Sequence, residues 1–252
     1  MNTIKPEFLY GLHAVAAVLR FRPQQVRELN VKSGQLSPAV TALVKLAEEH
    51  RIVVKQVSAG QLQRLTNDGV HQGVVALAEP RRDLDDKDLE VLLFESSDNF
   101  FLVLDSIDDP RNLGACLRVA DGAGVDGVIM ARSRGARITP LVAKVSSGAA
   151  ESVPCYRVAN LARTLKFMGA AGVQIVGAAG GSAATIFDLS VSSNVALVIG
   201  HEGSGLRRLT RDHCDLLASI PMLGTVDSLN LSVAAGVMLY EIQQKRDKSS
   251  VE

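Results

Sequence analysis

Three stretches of this 252-residue chain put polar side chains where an α/β protein would hold a ligand. In the first, the apolar run 100–104 gives way to Asp105-Ser106-Ile107-Asp108-Asp109-Pro110 and then to a helical pattern carrying Asn112 and Arg118. In the second, the apolar run 195–199 enters Gly200-His201-Glu202-Gly203-Ser204-Gly205. In the third, Ile220-Pro221-Met222 leads through a polar loop to Ser228-Leu229-Asn230 and a helix of small residues. Ligands of parallel α/β sheets sit beyond the carboxyl ends of strands, which is where each stretch lies. Glycines let backbone approach a ligand closely, and a plain turn would not require Glu202 among them. Each candidate also has a purely structural reading. Asn112, Ser204, Ser228 and Asn230 could cap helices, and Arg118 could pair with Asp121 at i,i+3.

The elements around these stretches follow from periodicity. After residue 98, strands at 100–104, 128–130, 174–176, 195–199 and 219–222 alternate with helices at 113–123, 140–147, 161–168, 206–217 and 228–246. The double-buried runs and the β/α rhythm predict a mostly parallel sheet covered by helices on both faces. Before residue 79, strands at 29–32, 52–57 and 73–77 and helices at 14–20 and 38–49 predict a smaller α/β module. The stretch Glu79-Pro80-Arg81-Arg82-Asp83 is the natural boundary. The expected organisation is a domain at 1–78, an acidic linker at 79–98 and a larger domain at 99–252.

Several function classes are disfavoured. Gly122-Ala123-Gly124-Val125-Asp126-Gly127 matches GxGxxG, but a helix precedes it and a strand follows, the reverse of a dinucleotide site. No GxxxxGK[ST] loop occurs. Cys116, Cys155 and Cys214 are far apart and read as buried small hydrophobes, and the five histidines show no ligand spacing, so no metal is expected. No run is long and apolar enough for a membrane span, and the N-terminus lacks a signal-peptide pattern, so a cytoplasmic protein is expected. Net charge is zero, but residues 1–78 hold nine Lys/Arg against five Asp/Glu, and 79–98 hold three against eight. A mildly basic first module is compatible with phosphate binding.

Taken in order, DPxNxGAxxR, GxEGxG and IPMxGxxxSLNxSxA resemble the three motifs of the SpoU (TrmH) family of RNA ribose 2'-O-methyltransferases, in the SPOUT class. Tyr10-Gly11-Leu12-His13-Ala14-Val15, Val70-His71-Gln72-Gly73-Val74 and Gly148-Ala149-Ala150-Glu151-Ser152-Val153-Pro154 are similar to further signatures, most like the bacterial members that modify a guanosine of 23S rRNA. His201 departs from the pattern but leaves Glu202 in place. The resemblance implies a deep trefoil knot in the larger domain, S-adenosylmethionine as cofactor, and methyl transfer to a guanosine 2'-hydroxyl in the peptidyl-transferase region of 23S rRNA. A tRNA substrate, or a non-catalytic RNA-binding assembly factor, are its rivals. It implies catalytic-pocket roles for Asn112, Arg118, Glu202, Ser228 and Asn230, and cofactor contacts at Gly177, Gly180, Gly200, Glu202, Gly203, Ile220, Met222 and Leu229. Arg118 matches the family's proposed base, yet Arg is effectively always charged, so a grip on the adjacent phosphate is the better role. The resemblance also implies a homodimer packed through the knotted region and the helix 229–246, with Arg118 supplied by the partner chain. The first module is expected to bind RNA, with Arg20, Arg22, Arg27, Lys32 and Lys55 as phosphate contacts.

Overall fold

The computed structural model describes residues 5–133 and 135–249, with the side chains of 247–249 not described; the expected outer bounds at residues 1 and 252 lie outside these. In chain order the elements are β1 (Glu7–Tyr10), α1 (Leu12–Phe21), β2 (Val26–Lys32), α2 (Pro38–Glu49), β3 (Val53–Val57), α3 (Ala59–Leu65) and β4 (Val74–Ala78). Then come α4 (Asp86–Glu95), β5 (Phe100–Leu104), α5 (Pro110–Gly122), β6 (Gly127–Ala131), α6 (Pro140–Val145), α7 (Ala149–Ser152), β7 (Cys155–Val158) and α8 (Leu161–Ala170). The chain closes with β8 (Gln174–Ala178), β9 (Ala184–Thr185), β10 (Val195–Ile199), α9 (Arg208–Arg211), β11 (Leu216–Ser219) and α10 (Leu231–Ser249).

Two units result, and their boundaries differ from the expected ones. The first comprises residues 1–82 together with 138–152; the second comprises 83–137 and 153–252. The first is built on a four-stranded sheet, β1-β4-β2-β3, in which β4 runs antiparallel to both neighbours and β2 and β3 are parallel. Helices α6 and α7 pack on α1 and β1 of this unit. The reason is visible in the Gly148 to Pro154 signature. A side chain at Gly148 would place its Cβ 2.8 Å from the Ala17 Cβ of α1. Glu151 is buried and accepts from both Nε (2.7 Å) and Nη2 (2.9 Å) of Arg22. A small residue and an ion pair thus fasten 138–152 to the first unit.

The second unit carries a seven-stranded sheet, β7-β6-β5-β10-β8-β11-β9, with every pairing parallel. Every residue of β5, β6, β7 and β10 is buried, as helices on both faces require. Phe101, Val103, Ile129, Ala196 and Val198 pack with Leu161, Leu165 and Met168 of α8 in one aliphatic core. Asp126 and Asp215 pin strand starts: their carboxylates accept from the backbone N–H groups of Phe100 and Ile175, each at 2.7 Å.

Other expectations need correction. The region 79–98 is not a plain linker, since α4 occupies half of it behind an Asp85–Asp88 capping box. The predicted helix 206–217 is one short turn, α9, followed by β11, and the strand expected at 219–222 lies earlier, at 216–219. Asp109, not Asn112, caps α5, accepting from Arg111 N–H at 2.8 Å. Gly122 ends α5 and Gly127 opens β6, so the GxGxxG match is a helix-to-strand turn.

Candidate active site

The three polar stretches converge at the carboxyl ends of adjacent strands. β5 and β10 are neighbours, so the turn entering α5 and the loop 200–207 emerge side by side. The loop 220–230 joins them because α10 packs on α5 and β10.

Their side chains form a hydrogen-bonded chain with one direction. Asn112 Nδ2 donates to Glu202 Oε2 at 2.9 Å, and Asn230 Nδ2 donates to Asn112 Oδ1 at 3.4 Å. Asn230 Oδ1 accepts from the backbone N–H of Ser232 at 3.0 Å and its hydroxyl at 2.7 Å, while Asn230 O accepts from Ala234 N–H. Because Ser232 N–H can only donate, the Asn230 amide is oriented, and the orientation passes to Asn112 and then to Glu202. Asn230 therefore caps α10 and serves the cluster at once. Glu202 and Asn230 are exposed and Asn112 half-buried, so the cluster adds little stability and stays open to a ligand. Ser228 Oγ donates to Asp227 Oδ1 at 2.9 Å rather than to the helix.

The loop that carries Glu202 is held at both ends. Gly200 is buried, and a Cβ there would stand 2.2 Å from the carbonyl carbon of Gly205, so only glycine lets the loop fold back over its own root. At its far end Arg207 pairs with Asp105, whose side chain is fully buried. Arg207 Nε reaches Asp105 Oδ1 at 2.6 Å and its backbone N–H reaches Oδ2 at 3.1 Å. Burial alone would raise the Asp105 carboxyl, but hydrogen bonds from Arg207 and Thr210, with the Arg207 charge, hold it below the usual carboxylate range. Sequence reasoning missed both residues. The available signal was an acidic residue directly after a fully apolar strand.

Beside this cluster, β8, β11 and α10 enclose a cleft of about 150 Å³. Of the cofactor candidates, Gly180, Ile220, Met222 and Leu229 line it, together with the catalytic candidate Ser228. Ala178, between the two glycine candidates Gly177 and Gly180, lines it as well, as do Ala218, Asp227 and Met238, which were not singled out from sequence. Small residues on one wall, aliphatic and thioether groups on another and one carboxylate suit a flat heteroaromatic group bearing hydroxyls. Gly200, Glu202 and Gly203 lie outside the lining. Gly177 faces the core instead: a Cβ there would meet Cys214 Sγ at 2.7 Å and Leu217 Cδ2 at 2.8 Å.

Arg118 is not brought to the cluster. It lies six residues beyond Asn112 on α5, about 9 Å along the axis and on another face. It is exposed and makes no side-chain hydrogen bond or ion pair among the described residues. Of the basic candidates in the first unit, Arg22 is consumed by Glu151, Arg27 pairs with Glu79 and Lys55 with Glu28, while Arg20 and Lys32 remain exposed. Burial pushes the Cys116 and Cys214 thiols up to about 12, and no group of three or more His, Cys, Asp or Glu among the described residues could hold a metal ion.

Known proteins share the sequence and the fold over nearly the whole chain. The model of the SpoU rRNA Methylase family matches residues 99–240, and that of RNA 2'-O ribose methyltransferase substrate binding matches residues 8–84. The chain is 45% identical over 240 residues to a 23S rRNA (guanosine-2'-O-)-methyltransferase, RlmB, of Photorhabdus laumondii, covering 95% of this chain and 98% of that protein. For RlmB of Escherichia coli K12 the identity is 42%, covering 95% and 99%. The crystal structure of the SpoU methyltransferase AviRb from Streptomyces viridochromogenes superposes with a TM-score of 0.79 at 25% identity, covering 97% of this chain and 91% of that one. Its complex with the cofactor AdoMet gives 0.77 at 26%, covering 96% and 90%. With more than half of its length matched by one model and relatives that align almost end to end, this chain belongs to the SpoU rRNA methylase family.

Proposed function

We propose that the protein transfers a methyl group from S-adenosylmethionine to the ribose 2'-hydroxyl of a guanosine in the peptidyl-transferase region of 23S rRNA. The observation that carries this reading is the Glu202–Asn112–Asn230 chain, which joins three loops beside a cleft suited to an adenosine. The relatives' substrate supports the choice of RNA.

The cofactor would supply an electrophilic methyl group on a sulfonium. Gly180, Ile220, Met222, Ser228 and Leu229 would hold its adenosine part, with Asp227 available to the ribose hydroxyls. The cleft is smaller than the roughly 300 Å³ that encloses a whole ligand, so the remainder would face the loop 200–205. A protonated 2'-hydroxyl is a poor nucleophile, and the chain must orient it and favour loss of its proton. Glu202, held by Asn112, would accept a hydrogen bond from that hydroxyl and orient it. Arg118 would grip the phosphate next to the target ribose and stabilise the developing oxyanion.

A partner protomer would bring Arg118 to the site. Support comes from one face of the C-terminal region: Leu223, Val226, Val233 and Tyr240 are at least half exposed, and the last two stand i,i+7 on α10. The same region would carry the trefoil knot, supported by β10 lying between β5 and β8 in the sheet. We read the protein as two working parts, an RNA-binding first unit and a methyltransferase second unit, acting in the cytoplasm. Among the described residues no helix is long and apolar enough to cross a membrane.

Labelled methyl transfer to undermethylated 23S rRNA, 16S rRNA and tRNA in parallel tests the reading. A single 2'-O-methylguanosine in 23S rRNA is expected. Label in tRNA alone would overturn the substrate, and no label in any of them would overturn the activity.

A further inference from the structure

A second basic feature lies on the same edge of the larger sheet. The loop after β6 reads Arg132-Ser133-Arg134-Gly135-Ala136-Arg137. β6 lies next to β5, and β7 next to β6, so this loop leaves the sheet about one strand spacing, roughly 5 Å, from the turn that carries Asn112. Arg132, Arg137 and Arg157, with Asp83, Leu84 and Asp85, line an open cleft of about 320 Å³.

The loop is braced. Arg157, on β7, is only 4% exposed, and its two terminal nitrogens donate to Ala136 O at 2.8 Å and Arg132 O at 3.1 Å. One buried guanidinium therefore ties both ends of the loop together. The loop is also tied to the active-site turn, because Ala136 N–H donates to Ile107 O at 2.7 Å. Gly135, at φ +107°, lies so close that a Cβ would stand 3.1 Å from Ile107 O. The positive charge is only partly offset inside the cleft, by Asp83 and Asp85. None of the three arginines is ion-paired among the described residues. Among the described residues Arg132 donates only to Arg157 O, at 3.4 Å, and Arg137 makes no side-chain hydrogen bond. Of the two carboxylates, Asp85 is engaged in capping α4, accepting from Lys87 and Asp88 N–H groups. Burial pulls the Arg157 guanidinium below its usual value, the Asp83 charge opposes this, and the charges of Arg137 and Arg132 add to it. A fold that buries a guanidinium to hold two exposed ones in a fixed place is built to receive an anion.

We propose that the Arg132–Arg137–Arg157 cleft holds a backbone phosphate of the RNA strand flanking the target ribose, with Arg132 and Arg137 as direct contacts and Arg157 as a positioning residue. The inference rests on the RNA methyltransferase reading above. Through Ile107, the cleft would set the register between the flanking nucleotides and Asn112. It is distinct from Arg118, on α5, and from the first unit's basic residues.

The test compares the full-length protein with an Arg132→Gln/Arg137→Gln variant and an Arg163→Gln/Lys166→Gln control. The control removes the same charge from α8, away from the cleft. Each binds an unmethylated transcript of the peptidyl-transferase region across a salt series, and S-adenosylhomocysteine separately. Neutralising one single-strand phosphate contributes about 0.7 to the slope of log affinity against log salt. The cleft variant should lose that amount, keep its S-adenosylhomocysteine affinity and leave the control unlike it. Equal slopes in the wild type and the cleft variant, or an equal loss in the control, would overturn the inference. Wild-type protein that binds neither transcript nor S-adenosylhomocysteine would instead overturn the methyltransferase reading beneath it.

Discussion

At the residue scale, a side chain's type was legible where it had to face a ligand, and its partner was not. Asn112, Glu202 and Asn230 stand out in sequence because turns do not need them together, but nothing in spacing says that an amide of α5 bridges a carboxylate and the cap of α10. If that bridge orients Glu202, Asn112→Ala should lower single-turnover methyl transfer by about 10²-fold, the scale of losing one preorganised polar contact. S-adenosylhomocysteine affinity, read by calorimetry, should stay within about twofold; a parallel loss of both would mean that Asn112 serves cofactor binding instead. The Asp105–Arg207 pair was invisible for a related reason, since 102 residues separate its members. Removing Arg207 strands a buried carboxylate, so Arg207→Gln should cost about 3 kcal/mol at pH 7. The sign with pH follows from the depressed carboxyl. Its stabilisation is complete above the unfolded value near 3.8 and is lost as pH falls through the lower folded value. Denaturation curves of wild type and variant should therefore converge only as pH falls through that lower folded value, and a difference that persists below it would assign the loss to packing.

At the element scale, β5 and β10 were read correctly because an uninterrupted apolar run of five has few other homes, whereas β7, equally buried, was missed because Arg157 interrupts its apolar run. The region after Glu202 failed for the converse reason. Leu206, Leu209, Cys214 and Leu217 imitate helical spacing, but the Arg207–Asp105 anchor, a single turn at α9 and parallel pairing with β8 divide the segment into loop, turn and strand. Asp109 displaced Asn112 as cap because Pro110 fits the first helical position and the cap must precede it. Loop 200–205 is equally decided by tertiary contact. A methyl group at Gly200 would overlap the Gly205 carbonyl, so Gly200→Ala should destabilise the protein by about 1–3 kcal/mol, as overpacking does. It should also displace Glu202, so methyl transfer should fall at temperatures where circular dichroism shows the variant fully folded. Full activity there would mean that the loop tolerates the shift and that its closed path is not what places Glu202.

At the scale of the whole molecule, two units were legible but their membership was not. Periodicity reads helices at 138–152 without saying which sheet they cover, and that is settled by one glycine contact and one ion pair. The family model for the methylase runs through this segment at residues 99–240, while the contacts return it to the first unit, where a second family model matches residues 8–84. Chain continuity and structural membership therefore part company between Arg137 and Val153, and the stability of 138–152 should follow that of the first unit. Arg22 offers the test. Its partner Glu151 has a side chain only 4% exposed, and the pair holds α7 to the end of α1. Arg22→Ala leaves that carboxylate buried and unpaired, a loss of about 3 kcal/mol or more. Amide hydrogen exchange should then speed up across residues 138–152 and α1, by roughly two orders of magnitude if opening of that unit governs it. Amides of β5, β6 and β10 should keep their wild-type protection, because their hydrogen bonds lie wholly in the second unit's sheet. Equal acceleration in both sets would show a single cooperative unit, and 138–152 would then be as much a part of the methylase as its sequence position suggests.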